Sequence, residues 1–224
     1  MRQGVLLIAA AAVGVALLLA RKQSGGTDAW YWSDNLGQDY INNLGAGIGE
    51  LDDVAESLWE DLKGAVLGIS TMKNVTGADV AHPNVQAFLR VIRRGEGTAG
   101  PDGYRTLFGG GLFNGYADHP RIKISKSGYT STAAGAYQFL SSTWDETKRV
   151  MGLPDFSPAS QDRGAVGRIV YRGALEDVKA GRFEQAIRKV AREWASMPGS
   201  PYGQPVISMT TAKNTYAAAG GAFA

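Results

Sequence analysis

The residue that invites a chemical reading is Glu96, in the run Arg93-Arg94-Gly95-Glu96-Gly97-Thr98. Upstream, from Asn84 onward, Val85, Phe88, Leu89 and Ile92 recur at helical spacing. At 100° per residue, Glu96 falls about 20° from Val85 and Leu89 and about 40° from Ile92. A carboxyl group thus lies on the line of the buried face, where Gly95 and Gly97 break the helix. Apolar surroundings disfavour the carboxylate and raise its pKa, which suits a proton donor near neutral pH. The flanking glycines let a substrate approach closely. The competing reading is a carboxylate neutralised by Arg93 and Arg94 at a helix end. The run Gly95 to Gly100 also fits G-x-G-x-x-G, but that motif needs a preceding strand and a following helix. Here a helix precedes and loops follow, which is the wrong context for a dinucleotide. The 224 residues include no cysteine, and His82 and His119 are the only histidines. Structural disulfides, thiolate zinc, a cysteine nucleophile and a histidine-rich metal site all drop out. No nucleophile-elbow motif supports a Ser-His-Asp triad. No metal and no cofactor are expected.

The elements that would position Glu96 are mostly helices. Pro83 and Asn84 open the helix that leads to it. Gly97 to Thr132 is rich in Gly and Tyr and reads as loops with a small hairpin. Tyr137, Leu140 and Trp144 mark a second helix. Ser157-Pro158 has the form of an N-cap followed by Pro at the first helical position, leading into Ala165, Val166, Ile169 and Val170. Phe183, Ile187, Val190 and Trp194 define a further helix ended by Pro198-Gly199. Ahead of this domain stands an apolar run, Gly4 to Ala20, flanked by Arg2 and Arg21-Lys22. It is short for a span, and a cleaved signal peptide is its rival, disfavoured by the charges that follow at once. Ser24-Gly25-Gly26-Thr27 is a joint, followed by Trp30, Tyr31 and Trp32, which suit a membrane interface or simple packing. Leu51, Val54, Ala55, Leu58, Leu62, Ala65, Val66 and Ile69 then trace an amphipathic helix with an acidic outer face. The expected organisation is a membrane anchor over 1–22, an acidic stalk over 23–80, a catalytic domain over 81–206 and an Ala/Gly-rich tail over 207–224, weakly ordered after Tyr216.

Four further stretches carry recognisable patterns. Gly103-Tyr104-Arg105-Thr106-Leu107-Phe108-Gly109-Gly110-Gly111-Leu112-Phe113 is followed by Tyr116-Ala117-Asp118-His119-Pro120-Arg121. Then come Ser131-Thr132-Ala133-Ala134-Gly135-Ala136-Tyr137-Gln138-Phe139 and Trp194-Ala195-Ser196-Met197-Pro198-Gly199-Ser200-Pro201-Tyr202-Gly203-Gln204. At these residues, over about 84–206, the chain resembles the phage lambda lysozyme family, the lambda-type lytic transglycosylases. The resemblance implies a lysozyme-like α+β fold, mainly helical, and cleavage of the β-1,4 bond between N-acetylmuramic acid and N-acetylglucosamine. It implies a 1,6-anhydromuramic product, with the catalytic glutamate in Glu96-Gly97-Thr98. By carry-over, Glu96 protonates the leaving oxygen and then takes the proton of the muramic 6-hydroxyl as that group closes onto C1. A hydrolase normally needs two carboxylates; an internal hydroxyl replaces the bound water, so one acid can serve both steps. Asp102, Asp118 and Asp145 are candidates for a second acid, each equally readable as a solvated one. Thr98, Tyr104, Tyr137, Gln138, Tyr202 and Gln204 read as a glycan-binding cleft, tyrosines offering ring faces and glutamines paired donors and acceptors. Core packing with a satisfied polar end is the alternative for each tyrosine and for Gln138. His119 reads as structural. One departure stands out: the lambda protein has an acid after the Gly-Tyr pair, where Arg105 stands here.

The charge distribution bears on partners only weakly. From Asp28 to Asp61 there are nine acidic residues and no basic ones, whereas residues 81–205 hold seventeen Lys/Arg against eleven Asp/Glu. A mildly basic body suits any anionic polymer. The resemblance makes that polymer bacterial peptidoglycan rather than nucleic acid. The expectation is a phage-encoded enzyme, membrane-anchored in a virion or at the host inner membrane with the catalytic domain in the periplasm. It would act either on delivery of the genome or at host lysis, with the acidic helix over 50–69 contacting a virion or membrane protein. The rivals are a water-using muramidase and an inactive membrane-anchored virion assembly protein.

Overall fold

The helix that ends at Glu96 is the centre of the fold. In a computed structural model, which describes residue 69 and residues 71–224 with the exception of residue 127, helix α2 (Pro83–Gly95) buries Val85, Ala87, Phe88, Leu89, Val91 and Ile92. His82 caps it: its Nδ1 accepts from the Asn84 N–H at 3.2 Å, and Pro83 fills the first helical position. Burial of both β-branched and aromatic side chains along one helix gives it several partners rather than one. It packs against α1 (Gly77–Ala81), α4 (Pro158–Tyr171), α5 (Leu175–Lys179) and, most extensively, α7 (Met209–Ala218).

Among the described residues there are also helices α3 (Ser141–Met151) and α6 (Phe183–Val190), two single 3-10 turns at Gly103–Arg105 and Phe108–Gly110, and one antiparallel hairpin. Strands β1 (Ile124–Lys126) and β2 (Tyr129–Ser131) pair Ile124 with Ser131, Ser125 with Thr130 and Lys126 with Tyr129. Gly128, at φ +82°, supplies the left-handed residue of the turn. This is an α+β arrangement in which helices dominate. A cluster of rings, Phe113, His119, Phe139, Trp144 and Phe156, fills the space between the loops and α3, with Trp144 and Phe156 centroids 4.6 Å apart.

Several expectations change. Tyr137 and Leu140 precede helix α3, which starts only at Ser141, because Gly135 at φ +79° and Gln138 at φ +46° hold this stretch in left-handed backbone. The helix from Phe183 ends at Val190; Trp194 is buried beyond it in turns, donating from Nε1 to the Tyr137 carbonyl at 3.2 Å. The Ala/Gly-rich end is packed, not loose: Ala212 and Tyr216 of α7 are buried, and the Phe183 ring meets both Tyr216 and Phe223. At the other end Met72 and Val75 already belong to the core. No helix among the described residues is long and apolar enough to cross a membrane. The expected anchor at 4–20, the joint, the aromatics at 30–32 and the acidic helix over 50–69, Ile69 apart, fall outside the described residues.

Candidate active site

The end of α2 is locked by its own backbone. Gly97 takes φ +71°, the Gly97 N–H donates to the Arg94 carbonyl at 3.4 Å and the Thr98 N–H to the Arg93 carbonyl at 2.9 Å. These are the paired bonds of a glycine-terminated helix, with Glu96 as the capping residue between them. Thr98 completes the lock. It is 1% exposed, and its hydroxyl reaches the Ala136 carbonyl at 2.5 Å and the Arg93 carbonyl at 3.3 Å. Arg93 bonds the Thr98 and Gly100 carbonyls. Neither arginine of the pair therefore has to neutralise Glu96: Arg93 is committed to the loop, and Arg94 is exposed.

Glu96 projects into a cleft of about 330 Å³ lined also by Gly95, Gly97, Thr106, Leu107, Phe108, Gly109, Gly110, Gln138, Ser196, Gln204 and Pro205. No other Asp or Glu is among these residues. Ser196 Oγ donates to Glu96 Oε1 at 2.6 Å. Removal from water pushes the Glu96 carboxyl up to about 7, against the opposing pull of the Ser196 hydroxyl. Gly95 makes the approach possible: a Cβ there would lie 2.2 Å from Met197 Cε and 2.6 Å from Ser196 Oγ. A larger hollow, about 500 Å³, opens near Phe183, Lys213 and Phe223. Within its lining Lys213 pairs with Glu184 at 2.5 Å, and Arg182 pairs with Asp177 outside it at 2.7 Å.

Of the residues expected to bind substrate, Gln138 and Gln204 share the cleft with Glu96. Gln138 spends its amide NH₂ on the Thr106 and Gly135 carbonyls, at 3.1 and 3.0 Å. Thr98 serves the helix end, as described. Tyr137 is 2% exposed, and both it and Tyr104 donate their hydroxyls to Asp162 Oδ1, at 2.6 and 2.8 Å. Burial first, then the nearby Asp162 charge, holds the Tyr137 phenol well above its usual range and pushes Tyr104 up to about 12. The two rings form a strut behind the site, with Arg93 stacked 4.6 Å from the Tyr104 ring centre. Tyr202 is exposed and donates to the Arg192 carbonyl at 2.8 Å, outside the cleft lining. The candidate second acids are all engaged elsewhere. Asp102 pairs with Arg105, while Asp118 and Asp145 both bind Arg121. Asp118 also accepts from Lys148 and from Trp144 Nε1. Burial would raise the Asp118 carboxyl, but these hydrogen bonds hold it well below the usual range. His119 is buried and structural: its Nδ1 accepts from the Arg121 N–H at 3.1 Å, so Nε2 donates to the Phe139 carbonyl at 2.8 Å. Burial favours its neutral ring.

Two supporting residues were not legible from the sequence. Gln161, fully buried, accepts from the Ala136 N–H at 2.8 Å and donates to the Tyr104 and Phe156 carbonyls, tying the loops that flank the cleft to α4. Ser196 lies within a stretch whose pattern was visible, but nothing in its type or spacing marks it as the partner of Glu96.

Comparison with known proteins shows the family and the fold. The sequence model of the endolysin family matches residues 86–223. The chain is 39% identical to the endolysin of Escherichia phage P2 over 62% of its own length and 94% of that protein. It is 43% identical to the endolysin of Escherichia phage lambda over 53% of its own length and 80% of that protein. Among solved structures it is similar to bacteriophage lambda lysozyme complexed with a chitohexasaccharide, at 38% identity and a TM-score of 0.61, covering 63% of this chain and 97% of that one. A second structure of the lambda lysozyme matches with a TM-score of 0.57. The fold is that of the lambda lysozyme, helices with a small sheet. The relatives also correct the expected localisation. Both are phage endolysins matched over most of their length, and this overturns the expected membrane-anchored placement; neither relative supports the membrane and virion partners expected with it.

Proposed function

This chain belongs to the endolysin family, and we propose that within it the protein is a peptidoglycan lytic transglycosylase with Glu96 as sole acid and base. The carrying observation is one carboxyl group, held near pKa 7 by burial, in a cleft where no second carboxylate stands among the described lining residues. At neutral pH a large fraction of Glu96 is protonated and can donate to the glycosidic oxygen as the bond to muramic C1 breaks. The C6 hydroxyl of the same muramic residue forms the new bond to C1, and its proton passes to the Glu96 carboxylate. Glu96 ends protonated, no water is consumed, and the product is the 1,6-anhydro sugar. The attacking group is already attached to the substrate, so proximity does what a second carboxylate would otherwise do for water. The chitohexasaccharide held by the lambda lysozyme supports a glycan as the ligand of this cleft. The relatives' shared designation as endolysins supports a role in host lysis.

Digestion of purified wall by the full chain, with masses of the released muropeptides, tests the reading. Anhydromuramic ends, lighter by one water than reducing ends, are expected, together with loss of activity by roughly a thousandfold or more in Glu96→Gln. Reducing ends alone would establish a muramidase instead, and wall clearing unchanged in Glu96→Gln would remove Glu96 from the chemistry.

A further inference from the structure

Ser196 is brought to Glu96 across a hundred residues of chain, and several features converge to hold it there. Its Oγ donates to Glu96 Oε1 at 2.6 Å. Its carbonyl accepts from the Ile207 N–H at 2.9 Å, which fixes the loop from the far side. The neighbouring Met197 is fully buried, and its N–H is tied to the Trp194 carbonyl at 3.0 Å. Opposite, Gly95 leaves room for Ser196 and Met197 at the helix end: a Cβ there would lie 2.2 Å from Met197 Cε and 2.6 Å from Ser196 Oγ. The hydroxyl is thus placed by backbone bonds at Ser196 and at Met197 beside it.

We propose that Ser196 is a positioning residue for the reaction, engaging Oε1 of Glu96 so that the transferable proton resides on Oε2. The proposal rests on the reading of Glu96 as acid and base. A hydroxyl can donate to the carbonyl oxygen of the neutral acid and to the same oxygen of the carboxylate, so this contact persists through both proton transfers. It fixes the carboxyl plane and leaves one oxygen to give and recover the proton. Because a donated hydrogen bond favours the ionised form, Ser196 also opposes the effect of burial. Among the described residues, no other ionisable side chain lines the cleft. On the last turn of α2, Arg93 is bonded to the Thr98 and Gly100 carbonyls and Arg94 is exposed.

The test compares wild-type full chain with Ser196→Ala and Ser196→Thr on a soluble peptidoglycan fragment across pH. It is paired with an NMR titration of the Glu96 side-chain carboxyl carbon in each free protein. Ser196→Ala is expected to lower kcat roughly tenfold or more with KM little changed, and to move both the alkaline limb and the NMR midpoint upward by about one pH unit. Ser196→Thr, which keeps the donor, restores most of both. A Ser196→Ala protein with wild-type kcat and an unmoved Glu96 midpoint overturns the proposal. The midpoint is read without turnover, so this failure is distinct from that of the transglycosylase reading, which Glu96→Gln and product masses decide.

Discussion

At the scale of single residues, the molecule turns on the environment of one carboxyl group. Glu96 is raised from 4.5 to about 7 by burial, and the sign of the consequence follows from proton linkage. Folding takes up a proton between these two values, so stability falls as pH rises through that window, by an amount on the order of 3 kcal/mol above pH 7. Glu96→Gln removes this penalty while retaining an acceptor for Ser196. Thermal melts should therefore show the variant gaining on wild type between pH 4 and pH 8; a difference that stays constant with pH would rule out the raised carboxyl. Activity should fall in the same direction. In kcat/KM, the limb above about pH 7 loses close to tenfold per unit as the acid ionises. The position of Glu96 was legible because a helix repeats every 3.6 residues. The direction of Thr98 and Tyr137 was not. Both lie in motifs around the site, and residue type alone does not tell whether a hydroxyl meets a sugar or a buried backbone carbonyl.

At the scale of elements, the site depends on what the helix end leaves out. Gly95 is helical, and alanine there would ordinarily favour the helix by nearly 1 kcal/mol. Its Cβ would instead meet Met197 and Ser196 below contact distance. Overpacking of this kind typically costs about 1–3 kcal/mol. Gly95→Ala should therefore lower Tm and reduce kcat tenfold or more by pushing the Ser196 loop off Glu96. A variant as active and as stable as wild type would show that the loop adapts freely. The same contrast explains which elements could be read from the sequence. Helices α2 and α4 carried their own caps, in His82-Pro83 and Ser157-Pro158, and a buried face of regular period. The apparent helix through Tyr137 and Trp144 had the right period, but its first part is held by Gly135 and Gln138 in left-handed backbone. A Cβ at Gly135 would lie 2.3 Å from Gln161 Oε1, a tertiary constraint that no local pattern encodes. Short α5 is fixed by contacts of the same kind: Asp177 binds Arg182 and Lys189 on its flanks, and Asn84 binds the Lys179 carbonyl.

At the scale of the whole molecule, the described chain closes on itself through its last residues. Asn84 at the start of α2 accepts from the Ala222 N–H at 2.9 Å, and the Ala224 N–H donates to the Gly181 carbonyl at 3.0 Å. Tyr216 and Phe223 pack with Phe183, so the end of the chain covers the junction between α2, α6 and α7. An Ala/Gly-rich composition suggested looseness because small residues bury little surface, yet α7 packs against α2 with Ala212 and Tyr216 buried. The segment also reaches the site, since Ile207, just before α7, holds the Ser196 carbonyl. Removal of residues 207–224 should therefore do two things at once. Stability should fall by at least about 3 kcal/mol, given that burying a side chain such as Tyr216 contributes about 1.5–3 kcal/mol and that apolar faces of Phe183 and α2 become exposed. Wall-clearing activity should drop further than the folded fraction accounts for, because Ser196 loses its anchor. Tyr216→Ala separates the two effects: it opens the packing but leaves Ile207 in place, so Tm should fall while activity per folded molecule is kept. Melting curves and initial rates for both variants at a temperature well below their Tm decide the matter. A truncated chain with wild-type Tm and rate would return the last eighteen residues to the status of a dispensable tail.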